Sequence, residues 1–158
     1  MRKVVIGMSV VAVSALAGLG SLRHAAARSE IERRFIGTWR LVSIEGPPNP
    51  NRGAHPTGVI YYDATGQMAA QIMPDRPRPD WTGSPTPEQA RETILGYTAY
   101  FGTYSVDEGA RTVTHHRAGT LSPGPVDFVR HYEFVAGNRL VLTPVSGPAI
   151  HLTWELIK

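Results

Sequence analysis

The chain has 158 residues, with 16 lysines and arginines against 13 acids, and no cysteine. Without thiols it can form neither disulfides nor Cys–His zinc sites, so packing alone must hold the fold, even in an oxidising compartment. The formal charge of +3 is unevenly placed and says little about partners until it is mapped along the chain.

Residues 1–27 carry Arg2, Lys3 and Arg23 and no acid, which leaves 13 basic and 13 acidic residues in the remainder. A nucleic-acid binder needs a basic excess on one face; none is visible, and no nucleic-acid partner is expected. The same 27 residues have the three parts of a secretory leader: a basic start, the apolar run Val4–Leu19, and Ala25, Ala26 and Ala27 at the cleavage position. Export to the periplasm or the medium is therefore expected. The alternative is an uncleaved anchor over residues 4–22, whose 19 residues approach the roughly 20 that span a bilayer. Membrane association is expected only through that segment. Residues 28–158 suit one domain with one core. Their cations are arginines except for Lys158. Arginine suits carboxylates and stacking on rings, although a compositional bias of the genome accounts for the excess equally well.

"RSEIERR", residues 28–34, reads as a helical turn. In "FIGTWRLVSIE", residues 35–45, Trp39 and Leu41 share one strand face while Thr38 and Arg40 take the other. "GVIYYDATGQMAAQIM", residues 58–73, is a hairpin around Asp63–Gly66, with Gly66 supplying a positive φ. Nine of the thirteen prolines fall between Pro47 and Pro87. They mark loops at 45–57 and 73–87, because proline removes a ladder donor. "TPEQARETILGY", residues 86–97, reads as a short helix with Thr86 as N-cap and Pro87 at the first position. Its apolar residues Ala90, Ile94 and Tyr97 are spaced for one face. Further hairpins follow at 100–121, turning at Asp107–Ala110, and at 128–144, turning at Ala136–Asn138; "AIHLTWELIK" closes the chain. The expected fold is all-β: an eight-stranded up-and-down antiparallel barrel with one short helix between strands three and four.

The segments "GTWRLVS", "GVIYYDATGQMAAQIM", "YFGTYSVDEGARTVTHH" and "FVRHYEFVAGNRLVLT", in this order, resemble the lipocalin-like domain proteins of bacteria and fungi over roughly residues 32–158. Gly37-x-Trp39, Tyr62 with Gly66-x-Met68, and Tyr100-x-Gly102-x-Tyr104 carry the likeness. The resemblance implies a calycin-type barrel with a cavity open at one end and Trp39 plugging the other. Related barrels include carriers of apolar ligands as well as cyclases and hydratases. "SPGPVD", residues 122–127, departs from the pattern where an aromatic residue is expected, and changes the rim there.

Sorting alternate residues by face gives the candidate site. Inward-facing strands would place Tyr62, Tyr100, Tyr104, His115, Arg117, Arg130 and Tyr132 among walls of Met68, Ile72, Leu140, Leu142 and Leu152. That lining suits a small lipophilic or amphiphilic molecule with an apolar body and a carboxylate or carbonyl head, since a buried arginine needs an acceptor. The competing structural reading pairs the arginines with Glu155 or Asp127 and turns the phenols to water. His115 and His116 are strand neighbours on opposite faces, and His131 lies on the next strand, so no metal site is expected. No nucleophile elbow, phosphate loop or dinucleotide fingerprint occurs, and no cofactor is expected. Three functions remain open: a binding protein; a cofactor-free cyclase, isomerase or hydratase with His115 as general base; and a filled barrel without a ligand.

Overall fold

Ser29 caps the first helix, α1 (Glu30–Phe35), through a reciprocal box. Glu32 N–H donates to Ser29 Oγ at 3.0 Å and Ser29 N–H donates to Glu32 Oε2 at 3.1 Å, which satisfies two of the helix's open N–H groups. The computed structural model describes residues 28–157, so the leader and its cleavage position lie outside the described residues. From α1 the chain enters β1 (Gly37–Glu45), β2 (Thr57–Tyr62) and β3 (Gln67–Met73), then α2 (Pro87–Ile94). It continues through β4 (Thr98–Asp107), β5 (Thr112–Thr120), β6 (Asp127–Val135), β7 (Arg139–Pro144) and β8 (His151–Leu156). Each strand pairs antiparallel with its chain neighbours, and β8 returns to β1, so the sheet closes in strict sequence order. Closure leaves no unpaired edge.

The two ends of the barrel differ. Short turns at 63–66, 108–111 and 136–138 gather at one end, beside α1. At the last of these, a three-residue loop between Val135 and Arg139, Gly137 (φ 79°) and Asn138 (φ 59°) both take left-handed backbone, which glycine and asparagine adopt most readily. At the β4–β5 turn the positive φ falls on Arg111 (φ 53°) and not on Gly109. The opposite end carries the loops 46–56, 74–97, 121–126 and 145–150. Within the second loop sits α2, capped by Thr86 and Gln89 as a capping box. The apolar face expected on α2 does not dock: the helix buries no residue, and Ile94 is exposed. Arginines hold it instead. Arg76 pairs with Glu92 (3.0 Å) and donates to the Glu92 and Leu95 carbonyls, while Arg78 donates to Thr93 O at 2.8 Å. Cations thus meet the open carbonyls and negative end of the helix dipole.

Period-two alternation turns one face of every strand inward. The α1 end is packed with aromatic rings: Phe35 lies edge-on to Tyr62, Tyr132 and Phe134 at centroid distances of 5.4, 5.2 and 5.0 Å. Trp39 Nε1–H donates to Phe35 O at 2.8 Å, so Trp39 plugs this end as expected. Trp154, also buried, stands opposite Leu41 on the closing strand. Full burial of each such ring contributes about 3 kcal/mol or more. One bulge shapes the other half. Ala118 is the extra residue between β4 and β5, and it sets Arg117 opposite Gly102. A Cβ on residue 102 would collide with His116 O and lie 2.8 Å from Ala118 N. Glycine is needed there because the bulged strand approaches so closely.

Candidate functional site

Polar side chains inside the barrel come from four strands. Tyr62 ends β2, Tyr100 lies near the start of β4, His115 and Arg117 are on β5, and Arg130 is on β6. Registers, not sequence spacing, bring them together. His115 is fully buried between two phenols: Tyr62 Oη lies 2.8 Å from Nε2 and Tyr100 Oη lies 2.9 Å from Nδ1. Burial first, and then the Arg130 charge, hold the His115 pKa well below its ordinary value, so the imidazole is neutral at neutral pH. Burial also pushes the Tyr62 phenol well up, with Tyr100 as the next contributor. Tyr100 is raised by burial as well, opposed by the charge and hydrogen bonding of the neighbouring Arg130.

Arg130 is the unusual member. It is buried, its guanidinium stacks 4.0 Å from the Phe128 ring centre, and Nε and Nη1 have no hydrogen-bond partner. The acids considered for it are engaged elsewhere. Glu155 binds Arg40, with Arg40 Nε 2.8 Å from Oε2, and Asp127 Oδ1 lies 2.8 Å from His116 Nδ1. Arg117 lies 5.9 Å from the Tyr100 ring and 5.8 Å from that of Phe128, and it donates to Pro125 O in the loop 121–126. The departure at "SPGPVD" thus supplies a carbonyl that steers this arginine.

The remaining sequence candidates lie at the plugged end. Tyr104 donates to Asp63 O at 3.0 Å and receives a 3.3 Å bond from Arg28 Nη1, and Tyr132 packs on Phe35. Both face inward; Tyr104 packs edge-on against Tyr62 at 4.9 Å, but its hydroxyl is bonded toward Asp63 and Arg28, away from Arg130. Sequence reasoning missed Phe128. Its place two residues before Arg130 on one strand was the available signal, since alternate residues share a face. His116 faces outward, as its opposition to His115 requires, and links Ser105 Oγ (2.9 Å) to Asp127. This Ser–His–Asp row lies on the outer surface of the barrel, across the paired strands β4, β5 and β6. His131 stands opposite Thr112, away from both histidines. Among the described residues, no three His, Asp or Glu side chains cluster as metal ligands would.

Tyr62 and His115 are 0 % exposed, and residues toward both ends keep slight exposure: Ile72, Tyr100, Arg130 and Leu152 at 6–8 % on the loop side, Tyr104 and Tyr132 at 7 % on the plugged side. The resemblance implied an open cavity; between the plug and His115 the inward side chains Phe35, Trp39 and Tyr62 are buried. The clefts of about 420 and 410 Å³ lie elsewhere, on the outer face of β6–β8 and between Ile44 and the loop 46–56. The second of these adjoins the mouth, because Ile44 pairs with Leu152.

A sequence-ordered closed barrel, plugged by aromatics at one end and polar near the other, defines an up-and-down antiparallel barrel. The chain belongs to the lipocalin-like domain family, whose sequence profile matches residues 36–153, nearly the whole barrel. No curated protein matches the chain significantly.

Proposed function

We propose that this protein, exported by its leader, binds a small amphiphilic molecule at the mouth of the barrel, with the polar head on Arg130 and the apolar body toward Ile44, Ile72, Leu142 and Leu152. One observation carries the reading. Arg130 is buried, without an acid beside it, and has two N–H-bearing nitrogens unpartnered. A buried unpaired cation is costly, and an incoming acceptor removes that cost. The body of the ligand extends beneath the loop 46–56, and mouth-facing side chains make room by changing rotamer, a common adjustment on binding.

Acid–base catalysis has less support. It requires an acceptor opposed to the donors. Yet among the described residues the buried charged or strongly polar groups are His115 and Arg130, and both His115 nitrogens are already engaged.

The test is affinity for matched acidic and neutral probes. Octanoate, its amide octanamide, and aromatic and terpenoid acids are titrated calorimetrically, and molecules that co-purify are identified by mass spectrometry. Arg130→Met is expected to weaken octanoate by about tenfold or more, since charge-assisted hydrogen bonds are the strong ones, and to leave octanamide nearly unchanged. Equal losses would remove Arg130 as the anchor.

A further inference from the structure

The Tyr62–His115–Tyr100 chain has one proton order that leaves no deeply buried hydroxyl unsatisfied. Tyr62 is wholly buried, and the polar partner of its Oη is His115 Nε2. Were the imidazole hydrogen on Nε2, Tyr62 would accept it and its own proton would face an apolar interior with no acceptor. Buried hydrogen-bonding groups are rarely left so. Tyr62 therefore donates to Nε2, and a neutral imidazole then carries its hydrogen on Nδ1. That hydrogen is donated to Tyr100 Oη, 2.9 Å away, so the Tyr100 proton must find an acceptor elsewhere. Tyr100 is the member of the chain that reaches the mouth, at 7 % exposure. Beside it, Arg130 holds Nε and Nη1 without partners. Every open position here is a donor.

We infer that the chain is a proton-orienting relay: it fixes Tyr100 as a hydrogen-bond donor, and Tyr100 and Arg130 together form a cradle for a carboxylate. His115 is a positioning residue, acting through Tyr100. The inference rests on the binding reading above and narrows its head group from carbonyl or carboxylate to carboxylate. A carboxylate is acceptor-only and offers two oxygens to several donors at once. A primary amide brings two N–H bonds toward groups that are themselves donors, and an alcohol brings one oxygen with a competing proton.

The decisive experiment needs no ligand. Nitrogen-15 shifts of His115 distinguish Nδ1–H from Nε2–H, and the neutral Nδ1–H form is expected at neutral pH. Finding Nε2–H would overturn the relay. Titrations then test the cradle: Tyr100→Phe is expected to weaken octanoate about tenfold and change octanamide by less than about twofold. Equal losses for both probes would overturn it. His115→Gln, with one acceptor and one donor, should keep octanoate affinity, whereas His115→Leu should behave like Tyr100→Phe; if Leu binds as wild type does, His115 does not position Tyr100. Failure of the unaltered protein to bind either octanoate or octanamide sinks the binding reading and the cradle together. Normal octanoate binding with an Nε2–H tautomer sinks the relay alone.

Discussion

Arg130 and His115 place opposite demands on stability. Arg130 keeps a cation out of water without a counter-charge, so in the ligand-free protein it costs more than its stem contributes by packing on Phe128. Arg130→Met, which retains an apolar stem, should therefore raise Tm while it lowers octanoate affinity, the usual conflict between a binding site and a stable core. A lower Tm would mean that Arg130 has a compensating partner. His115 acts through pH. Its folded pKa lies well below the ordinary value of 6.5 because burial, and then Arg130, penalise the charged ring. Tyr62 from β2, Tyr100 from β4 and Arg130 from β6 face it, and no acid is among them. The unfolded chain thus takes up a proton that the native state refuses. Stability is full above about pH 6.5 and falls below it, by at most about 1.4 kcal/mol per pH unit from this group. Urea unfolding between pH 7.5 and 5 should show that slope, and His115→Gln should flatten it. An unchanged slope would show that other groups set the acid limb.

Among the elements, α2 is the least secured to the core. Its N-cap Thr86 and first-turn Pro87 were readable, because caps depend on neighbours in sequence; Gln89 completes the box in the structure. Its support was not readable, because Arg76 and Arg78 reach across the loop to carbonyls 15 to 19 residues on. Arg76→Ala removes the pair with Glu92 and the bonds to two helix-end carbonyls. Amide exchange in α2 should then speed up about tenfold, while barrel Tm shifts little, since the helix buries no residue. A large fall in Tm would mean that α2 supports the barrel itself. The bulge at Ala118 is a comparable case. Gly102 shares a strand face with Tyr100 and Tyr104, and its role is to let β5 approach, which only the pairing of β4 with β5 discloses.

At the scale of the whole molecule, aromatic packing is concentrated at one end and the proposed binding site lies toward the other. Trp39, Phe35 and Phe134 pack into an aromatic floor, while Tyr100 and Arg130 lie toward the loop-bearing end. Trp39→Ala should cost about 3–5 kcal/mol, the range for deleting a buried large aromatic, and should lower Tm without changing the preference for octanoate over octanamide among molecules that remain folded. A lost preference would show that floor and mouth are coupled.

Strand number, turn positions, helix caps and the inward set containing Tyr62, Tyr100, His115 and Arg130 are determined by the sequence alone, because period-two alternation and turn chemistry act over a few residues. The sequence also determined that His115 and His116 point apart. Only the tertiary structure decided that His115 sits between Tyr62 and Tyr100, that Glu155 and Asp127 bind partners other than Arg130, and that Tyr104 and Tyr132 belong to the plug. Those outcomes depend on cross-strand register and barrel closure, which join residues 15 to 115 positions apart. Local pattern chooses a face for each side chain; its neighbours on that face are chosen by the pairing of distant strands.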